Sequence, residues 1–293
     1  MDNHEQAAIY EKEAEFVRTR LGALELPKAS SDETAISLAK TACMDCIQKG
    51  NVDPSDIGLL IFVSQNPDFG GLPHNSAVLQ GELGLPTSAV CFDVGLGCSG
   101  YVYGLSIVDA MRRSLDTDHA LLVTSDQYRR HLTPRDGNTQ LLFGDGAAAT
   151  LISSEPGDGF CYRGARLGTD GKKFKGLMRA SDGISMSGRA IYGFSRKVVP
   201  AEICEFLDQS GLTKDDIDCF LLHQGSRAIV EEIANELQLP SDKVPIMLEK
   251  TGNTVSSSIP FMLETLLHRP DAKRVLLAGF GVGLSWGIAL LER

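Results

Sequence analysis

Two stretches of this 293-residue chain repeat one another, and that repeat constrains the fold more than any single motif. VDPSDIGLLIFVSQN (52–66) and LTKDDIDCFLLHQGS (212–226) share an acidic turn, an Asp-Ile pair and an apolar run ending in polar residues. The segments beyond them also run in parallel. After the first come a helical stretch, the strand AVCFDV, a glycine-rich corner at Cys98, a helix and the strand ALLVTSD. After the second come a helical stretch, VPIML, the corner KTGNTVSSS at Asn253, a helix and RVLLAGF. Each run closes on a Gly-rich turn and an apolar strand, FGDGAAATLI and GFGVGLSWGIALL. Patterning predicts helices at 5–20, 32–48, 75–84, 99–114, 199–210, 226–237 and 257–267, and strands at 57–63, 89–94, 119–124, 146–153, 217–222, 244–248, 274–279 and 285–291. Such alternation reads as an α/β fold with largely parallel strands, in two similar halves, 1–155 and 156–293. Cys98 and Asn253 take matching corners, and strand-end residues of two packed α/β units can face a shared crevice.

The first corner, DVGLGCSGYVYGLSIVDAM, has glycines at 95, 97 and 100 and so spells G-x-G-x-x-G between a strand and a helix. A dinucleotide site also needs an acidic residue about 20 positions on. The next strand ends at Asp126, 26 positions past the last glycine, so that spacing is loose. The same geometry suits a thiol. A residue at a helix start feels unpaired N–H groups and the positive end of the dipole, which lower a thiol pKa. The glycines let the chain turn and a substrate approach, and the N–H of Cys98 can face a developing oxyanion. A cysteine in an apolar run also reads as a small structural hydrophobe.

Charge narrows the function. The formal net charge of -10 argues against a nucleic-acid binder held by bulk charge. No apolar run is long enough to cross a bilayer, and MDNHEQAAIYEKEAEF is too acidic and polar for a signal peptide, so a cytoplasmic location is expected. Seven cysteines, an odd number and mostly in apolar runs, do not suggest a disulfide framework. Cys43-x-x-Cys46 has no second pair and no His partner at zinc spacing, so no metal is expected. The Asp145 turn in FGDGAAAT reads as a tight turn with its carboxylate on backbone.

A cysteine nucleophile needs a base or electrophilic partner. FLLHQGS puts His223 just past a strand in the second copy, and KTGNTVSSSIP puts Asn253 at the corner that matches Cys98. Each alone has an ordinary structural reading. All three at crevice-facing positions of a duplicated fold make coincidence hard to sustain.

DVGLGCSGYVYGL, LLFGDGAAA, HQGSRAI, GNTVSSSIP and GFGVGLSWG, in that order over nearly the whole chain, resemble the β-ketoacyl-acyl carrier protein synthase III group of the thiolase superfamily. The resemblance implies a thiolase-like fold of two duplicated halves layered helix–sheet–helix–sheet–helix, a homodimer, and a Cys-His-Asn triad at Cys98, His223 and Asn253. It implies that Cys98 takes an acyl group from a thioester, and that a malonyl thioester then decarboxylates and attacks it. His223 and Asn253 would donate hydrogen bonds to the malonyl thioester oxygen. No bound cofactor is implied. Coenzyme A or phosphopantetheine arrives on the substrate, and an acyl carrier protein is the implied protein partner.

The resemblance also places residues around the triad. The backbone N–H of Val282, in GFGVG with Gly281 and Gly283, is the second oxyanion donor. The family usually has Gly there, so Val282 must hold a negative φ. Phe280 matches an aromatic near the thiol. Phe16 stands where a Trp stacks on adenine, and Arg20 matches the Arg beside it. Ser226 and Arg227 alter the family's HQANxR, and the loop around Arg135 is two residues longer. The short polar lead implies that one strand of the first sheet is absent. Leu72 falls where relatives often have a Phe that closes the acyl pocket from the neighbouring subunit, which predicts a longer or branched acyl group. Arg112, Arg113, Arg129, Arg130 and Arg135 are candidates for a basic patch facing the carrier. Three other readings remain open: a same-fold acyltransferase to an alcohol or amine, a non-condensing partner subunit, and a nicotinamide-dependent oxidoreductase.

Overall fold

The computed structural model describes residues 2–155, 157–181 and 183–293. The chain opens with α1 (Asn3–Ile9) and a turn α2 (Ala14–Phe16) that runs on as a π-helical turn, Val17–Leu21. The first half continues with α3 (Ala35–Gly50), β1 (Ile57–Val63), α4 (Asn75–Leu83), β2 (Val90–Val94), α5 (Gly100–Leu115), β3 (His119–Asp126), a turn α6 (Gly137–Gln140) and β4 (Gly146–Ser153). The second holds β5 (Cys161–Thr169), β6 (Leu177–Ala180), β7 (Gly183–Met186), α7 (Gly188–Gln209), β8 (Cys219–Leu222), α8 (Arg227–Leu237), α9 (Ser258–Leu266), β9 (Arg274–Gly281) and β10 (Ser285–Glu292).

The repeat is visible in the pairing. One sheet runs β2-β1-β3-β4, with β1 parallel to β2 and β3, and β3 antiparallel to β4. The other runs β5-β10-β9-β8, with β8 parallel to β9, and β9 antiparallel to β10. Thus β1, β3 and β4 correspond to β8, β9 and β10. Among the described residues β5 has no counterpart in the first sheet, so β4 is an edge, in line with the expected missing strand.

Side-chain alternation builds five layers. Leu59, Ile61 and Val63 of β1 pack with Tyr101, Val102 and Leu105 of α5 and with Ile259 and Met262 of α9. Leu60 and Phe62 point the other way, onto Ile36, Ala39 and Cys43 of α3 and Leu79 of α4. In β9, Val275 and Leu277 join the central layer, while Leu276, Ala278 and Phe280 face Val199, Ile203 and Phe206 of α7 and Val230 and Ile233 of α8. The order is α3/α4, sheet, α5/α9, sheet, α7/α8. Carboxylates fix the outer helices: Asp68 accepts from Ala35 N and Ile36 N at the start of α3, and Asp93 of β2 accepts from Asn75 N and Ser76 N at the start of α4.

Several expectations fail for physical reasons. The helix expected at 5–20 breaks after Ile9, where Glu11 takes φ 52°. Its first turn is tied elsewhere: Asn3 Nδ2 donates to Ala23 O and Leu141 O, and Ala7 and Val17 join the core of the second half. The strand expected at 244–248 is irregular, because its polar groups have other partners. Met247 N donates to Gln224 Oε1, and Leu24 N and Glu25 N donate to Glu249 O just beyond. The helix expected at 199–210 begins at Gly188, capped by Ser187, with Pro200 in its interior. Strands β5, β6 and β7 were not anticipated.

Candidate active site

Cys98 sits in the turn before α5, wedged against the end of β9. A side chain on Gly279 would meet Cys98 O at 2.9 Å, and one on Gly281 would meet Cys98 Cβ at 2.8 Å and Sγ at 2.9 Å. On the other side, a side chain on Gly100 would meet Val63 of β1. The glycines therefore serve close packing of this corner between two strands. The N–H groups of Cys98 and Val282 lie close enough to the sulfur to favour its thiolate. Val282 is not among the residues with positive φ, so the requirement for a backbone donor there is met. Gly283 carries the left-handed φ of 131° instead.

His223 lies just past β8, its N–H held by Ala278 O of β9 at 2.8 Å. Its Nδ1 lies 2.8 Å from Ser258 Oγ, and its ring meets Phe280 edge-on, centroids 5.5 Å apart. Asn253 is fixed by its backbone, N–H to Leu142 O at 2.9 Å and C=O from Gly144 N at 3.1 Å. Its Oδ1 accepts from Val255 N at 2.9 Å and its Nδ2 donates to Gly225 O at 3.5 Å, which sets the amide orientation and leaves one Nδ2 proton over. Gly252 before it needs φ 58°, and a side chain there would strike Leu142 O. Cys98, His223 and Asn253 line one cavity of about 270 Å³, walled by Phe280, Gly281 and Ser226 and reaching Phe16.

Burial governs the electrostatics. It pushes the Cys98 thiol up to about 12, with the nearby Asp126 carboxylate adding to the rise and the two N–H groups opposing it. This corrects the expectation of a thiol acidified by its helix: with the side chain only 5% exposed, desolvation outweighs the dipole. Burial also presses His223 down to about 3. The resting pair is therefore neutral thiol and neutral imidazole. Asp126, at the end of β3, is pushed up to about 7 by burial although Ser64, Gln65 N and Asn66 donate to it. A carboxyl whose folded pKa is raised supports folding at low pH, and that support fades as pH climbs through the usual carboxylate range toward 7. Asp126→Asn, which cannot ionise, should gain melting temperature relative to the parent between about pH 5 and about pH 8. Thermal unfolding in two buffers checks this, and a pH-independent difference contradicts it.

Residues 92–171 match the sequence profile of 3-oxoacyl-[acyl-carrier-protein] synthase III, and residues 207–293 match that of its C-terminal part. A curated relative from Acholeplasma laidlawii, named beta-ketoacyl-[acyl-carrier-protein] synthase III, is 34% identical over 296 residues, spanning 100% of this chain and 94% of its own. The chain belongs to the 3-oxoacyl-[acyl-carrier-protein] synthase III family. A solved 3-oxoacyl-(acyl-carrier-protein) synthase III is similar at 33% identity and TM-score 0.94, covering 100% of this chain and 95% of that one. A priming β-ketosynthase from the R1128 polyketide pathway is similar at 26% identity and TM-score 0.88, covering 99% and 92%.

Around the triad, the synthase III expectations divide. Phe280, Gly281, Ser226 and Phe16 line the cavity. Ser226 also caps α8 through Ile229 N, and Lys12 Nζ lies 5.6 Å over the Phe16 ring. Arg20 is exposed and lies outside the lining of the cavity. Arg227 is held by Glu231 and Glu249, and Arg135 and Leu72 are exposed, Leu72 at 86%, and lie outside the lining of the cavity in the single chain. Of the arginines expected to face a carrier, Arg129 donates to Gln140 O and Phe143 O, Arg130 to the carbonyls of Ser30, Ser31 and Glu33, and Arg113 pairs with Asp109. Asp145 accepts from Ala29 N and Arg129 N, as a turn carboxylate should. Cys43 is buried in α3 beside Cys46. The apolar wall from Leu142, Phe143, Leu177 and Ile191 was not anticipated. Its only sequence signal was the Ile191/Phe194 spacing of a helix start read too late. No helix among the described residues is long and apolar enough to cross a membrane.

Proposed function

We propose that this chain is a condensing transferase of the β-ketoacyl synthase III type, in which Cys98 is acylated by an acyl thioester and the acyl group is passed to the carbanion of a decarboxylating malonyl thioester. The observation that carries the reading is the convergence of Cys98, His223 and Asn253, from both halves of the repeat, on one cavity. Attack by sulfur forms the Cys98–acyl bond, with oxyanion charge facing the N–H groups of Cys98 and Val282. Loss of carbon dioxide from the malonyl thioester then builds charge on its carbonyl oxygen, which Asn253 Nδ2 and His223 would stabilise as hydrogen-bond donors. The apolar wall suits an acyl chain or a pantetheine arm, and the relatives' names point to an acyl carrier protein as one carrier. No resident cofactor enters this chemistry.

A homodimer is part of the proposal. The open β2 edge and a loop exposing Phe69 and Leu72 suit a second copy. In that arrangement the partner's loop would bring Leu72 to the neighbouring site, leaving room for longer chains. Incubation with malonyl thioester and a panel of acyl thioesters tests both points. Carbon dioxide and a 3-oxoacyl thioester should form together, and octanoyl should acylate Cys98 at least as fast as acetyl. An ester or amide formed without carbon dioxide would overturn the condensation reading. Acetyl much faster than octanoyl would overturn the roomy pocket.

A further inference from the structure

Ser99 stands where a helix is usually capped, yet its hydroxyl does no capping. It lies just before α5, and a serine there commonly accepts from an N–H of the first turn. Here it makes no such bond, because at φ -84° and ψ -12° its backbone is already helical. The hydroxyl crosses instead to β10, where Ser99 Oγ lies 2.7 Å from Ser285 Oγ. Ser285 Oγ in turn lies 2.7 Å from Val282 O. Both serines are buried. A carbonyl only accepts, so the Ser285 proton goes to Val282 O and Ser99 donates to Ser285. The reverse order would leave two oxygens 2.7 Å apart with no proton between them in a buried site.

These two bonds join the segments that carry the oxyanion donors. Ser99 follows Cys98 directly, and Val282 opens the turn between β9 and β10. Close packing holds β9 itself, since Gly279 lies against Ser99 Cα and Gly281 against Cys98 Cβ. Beyond Gly281 the turn is held at Leu284, whose carbonyl accepts from Asp170 N, and at Val282, whose carbonyl accepts from Ser285. Fixing that carbonyl fixes the angle at which the Val282 N–H leaves the strand. We propose that Ser285 is a positioning residue for acylation: through Val282 O on one side and Ser99 on the other, it holds the N–H groups of Val282 and Cys98 at one spacing, so that both meet the thioester oxygen as it gains charge. This rests on the acylation chemistry proposed above. In that step the Cys98 sulfur bonds to the carbonyl carbon and the carbonyl pair moves onto oxygen. The pair returns as the substrate C–S bond breaks, and the leaving thiolate ends with the proton that Cys98 gave up. The two N–H groups act while charge is on oxygen, so an error in their spacing appears in rate and not in binding.

Ser285→Ala should slow single-turnover acylation of Cys98 by about 10- to 100-fold, part of what a whole oxyanion donor supplies, with KM for the acyl thioester little changed. Malonyl decarboxylation measured without an acyl donor, which draws on Asn253 and His223, should fall by less than about threefold. Ser285→Thr keeps the hydroxyl on a strand residue and should restore acylation. Ser99→Ala cuts the chain of bonds at its far end and should slow acylation by a smaller factor, with the same split between half-reactions. Adding Ser99→Ala to Ser285→Ala should cost nothing more, because the Ser99 hydroxyl has already lost its acceptor. Acylation by Ser285→Ala within about threefold of the parent, equal losses in the two half-reactions, or losses that add in the double variant would each overturn the proposal. Should Ser285→Ala not fold, Ser99→Ala decides, and an unchanged acylation rate there overturns it. A parent protein that takes no acyl group from any thioester defeats the condensing-enzyme reading instead, whereas a parent that acylates beside serine variants of equal rate defeats this proposal alone.

Discussion

Asn253→Ala should lower malonyl decarboxylation by about 10²–10³-fold, the usual loss when one preorganised oxyanion donor is removed, and leave acylation of Cys98 near its starting rate. The asymmetry arises from where the carboxamide points. Val255 N holds Oδ1 and Gly225 O takes one Nδ2 proton, so the second Nδ2 proton is the one available to the substrate. In the proposed mechanism, acylation draws on the N–H groups of Cys98 and Val282 instead. Alanine also strands Val255 N, a buried donor, at a stability cost of about 1–3 kcal/mol, so the two half-reactions are compared well below the melting transition. Separate assays of carbon dioxide release and of acyl-enzyme formation check the split. Equal losses in both would show that Asn253 is no dedicated donor.

Gly281→Val should cost about 100-fold or more in acylation, the scale on which a nucleophile misplaced by an ångström loses rate. The first atom of any side chain there lies 2.9 Å from Sγ, a distance real packing does not allow. The backbone cannot yield, because Gly281 pairs with Ser285 across β9 and β10. Nor can the cysteine corner, which is pinned against Val63 through Gly100 and tied to β10 by Ser99 Oγ and Ser285 Oγ at 2.7 Å. Turning the thiol relieves the Sγ contact and leaves the 2.8 Å approach to Cys98 Cβ, so the nucleophile is displaced whichever way the clash resolves. Single-turnover acylation measures the effect, and a rate within tenfold of the parent would contradict this packing.

Most of the frame was legible because the buried strands carry unbroken apolar runs. IGLLIFV is β1 over the very residues its pattern marked, and the half-buried GAAATLIS is β4 over the residues expected from the glycine turn before it. The repeat was legible because both copies keep the acidic turn before the strand. The triad was reached through matching corners. Elements whose partners are remote in sequence were not legible. β5 is half-exposed and alternates weakly, and its pairing with β10 depends on the far end of the chain. VPIML reads as a strand by itself, but Gln224 and the N-terminal segment hold its polar groups in another conformation. The thiol was misjudged because a helix start is visible in sequence and the depth of burial around it is not. Ser258 showed no signal beyond one serine in a row of three, since the ring it contacts lies 35 positions away.

Intact-mass spectrometry after incubation with acyl thioesters reaches the central claim most directly. The parent protein should gain the mass of one acyl group, mapped to Cys98, and Cys98→Ala should gain none. An acyl group lodged on any other residue, or an unmodified Cys98 in the presence of every thioester tried, would contradict the account.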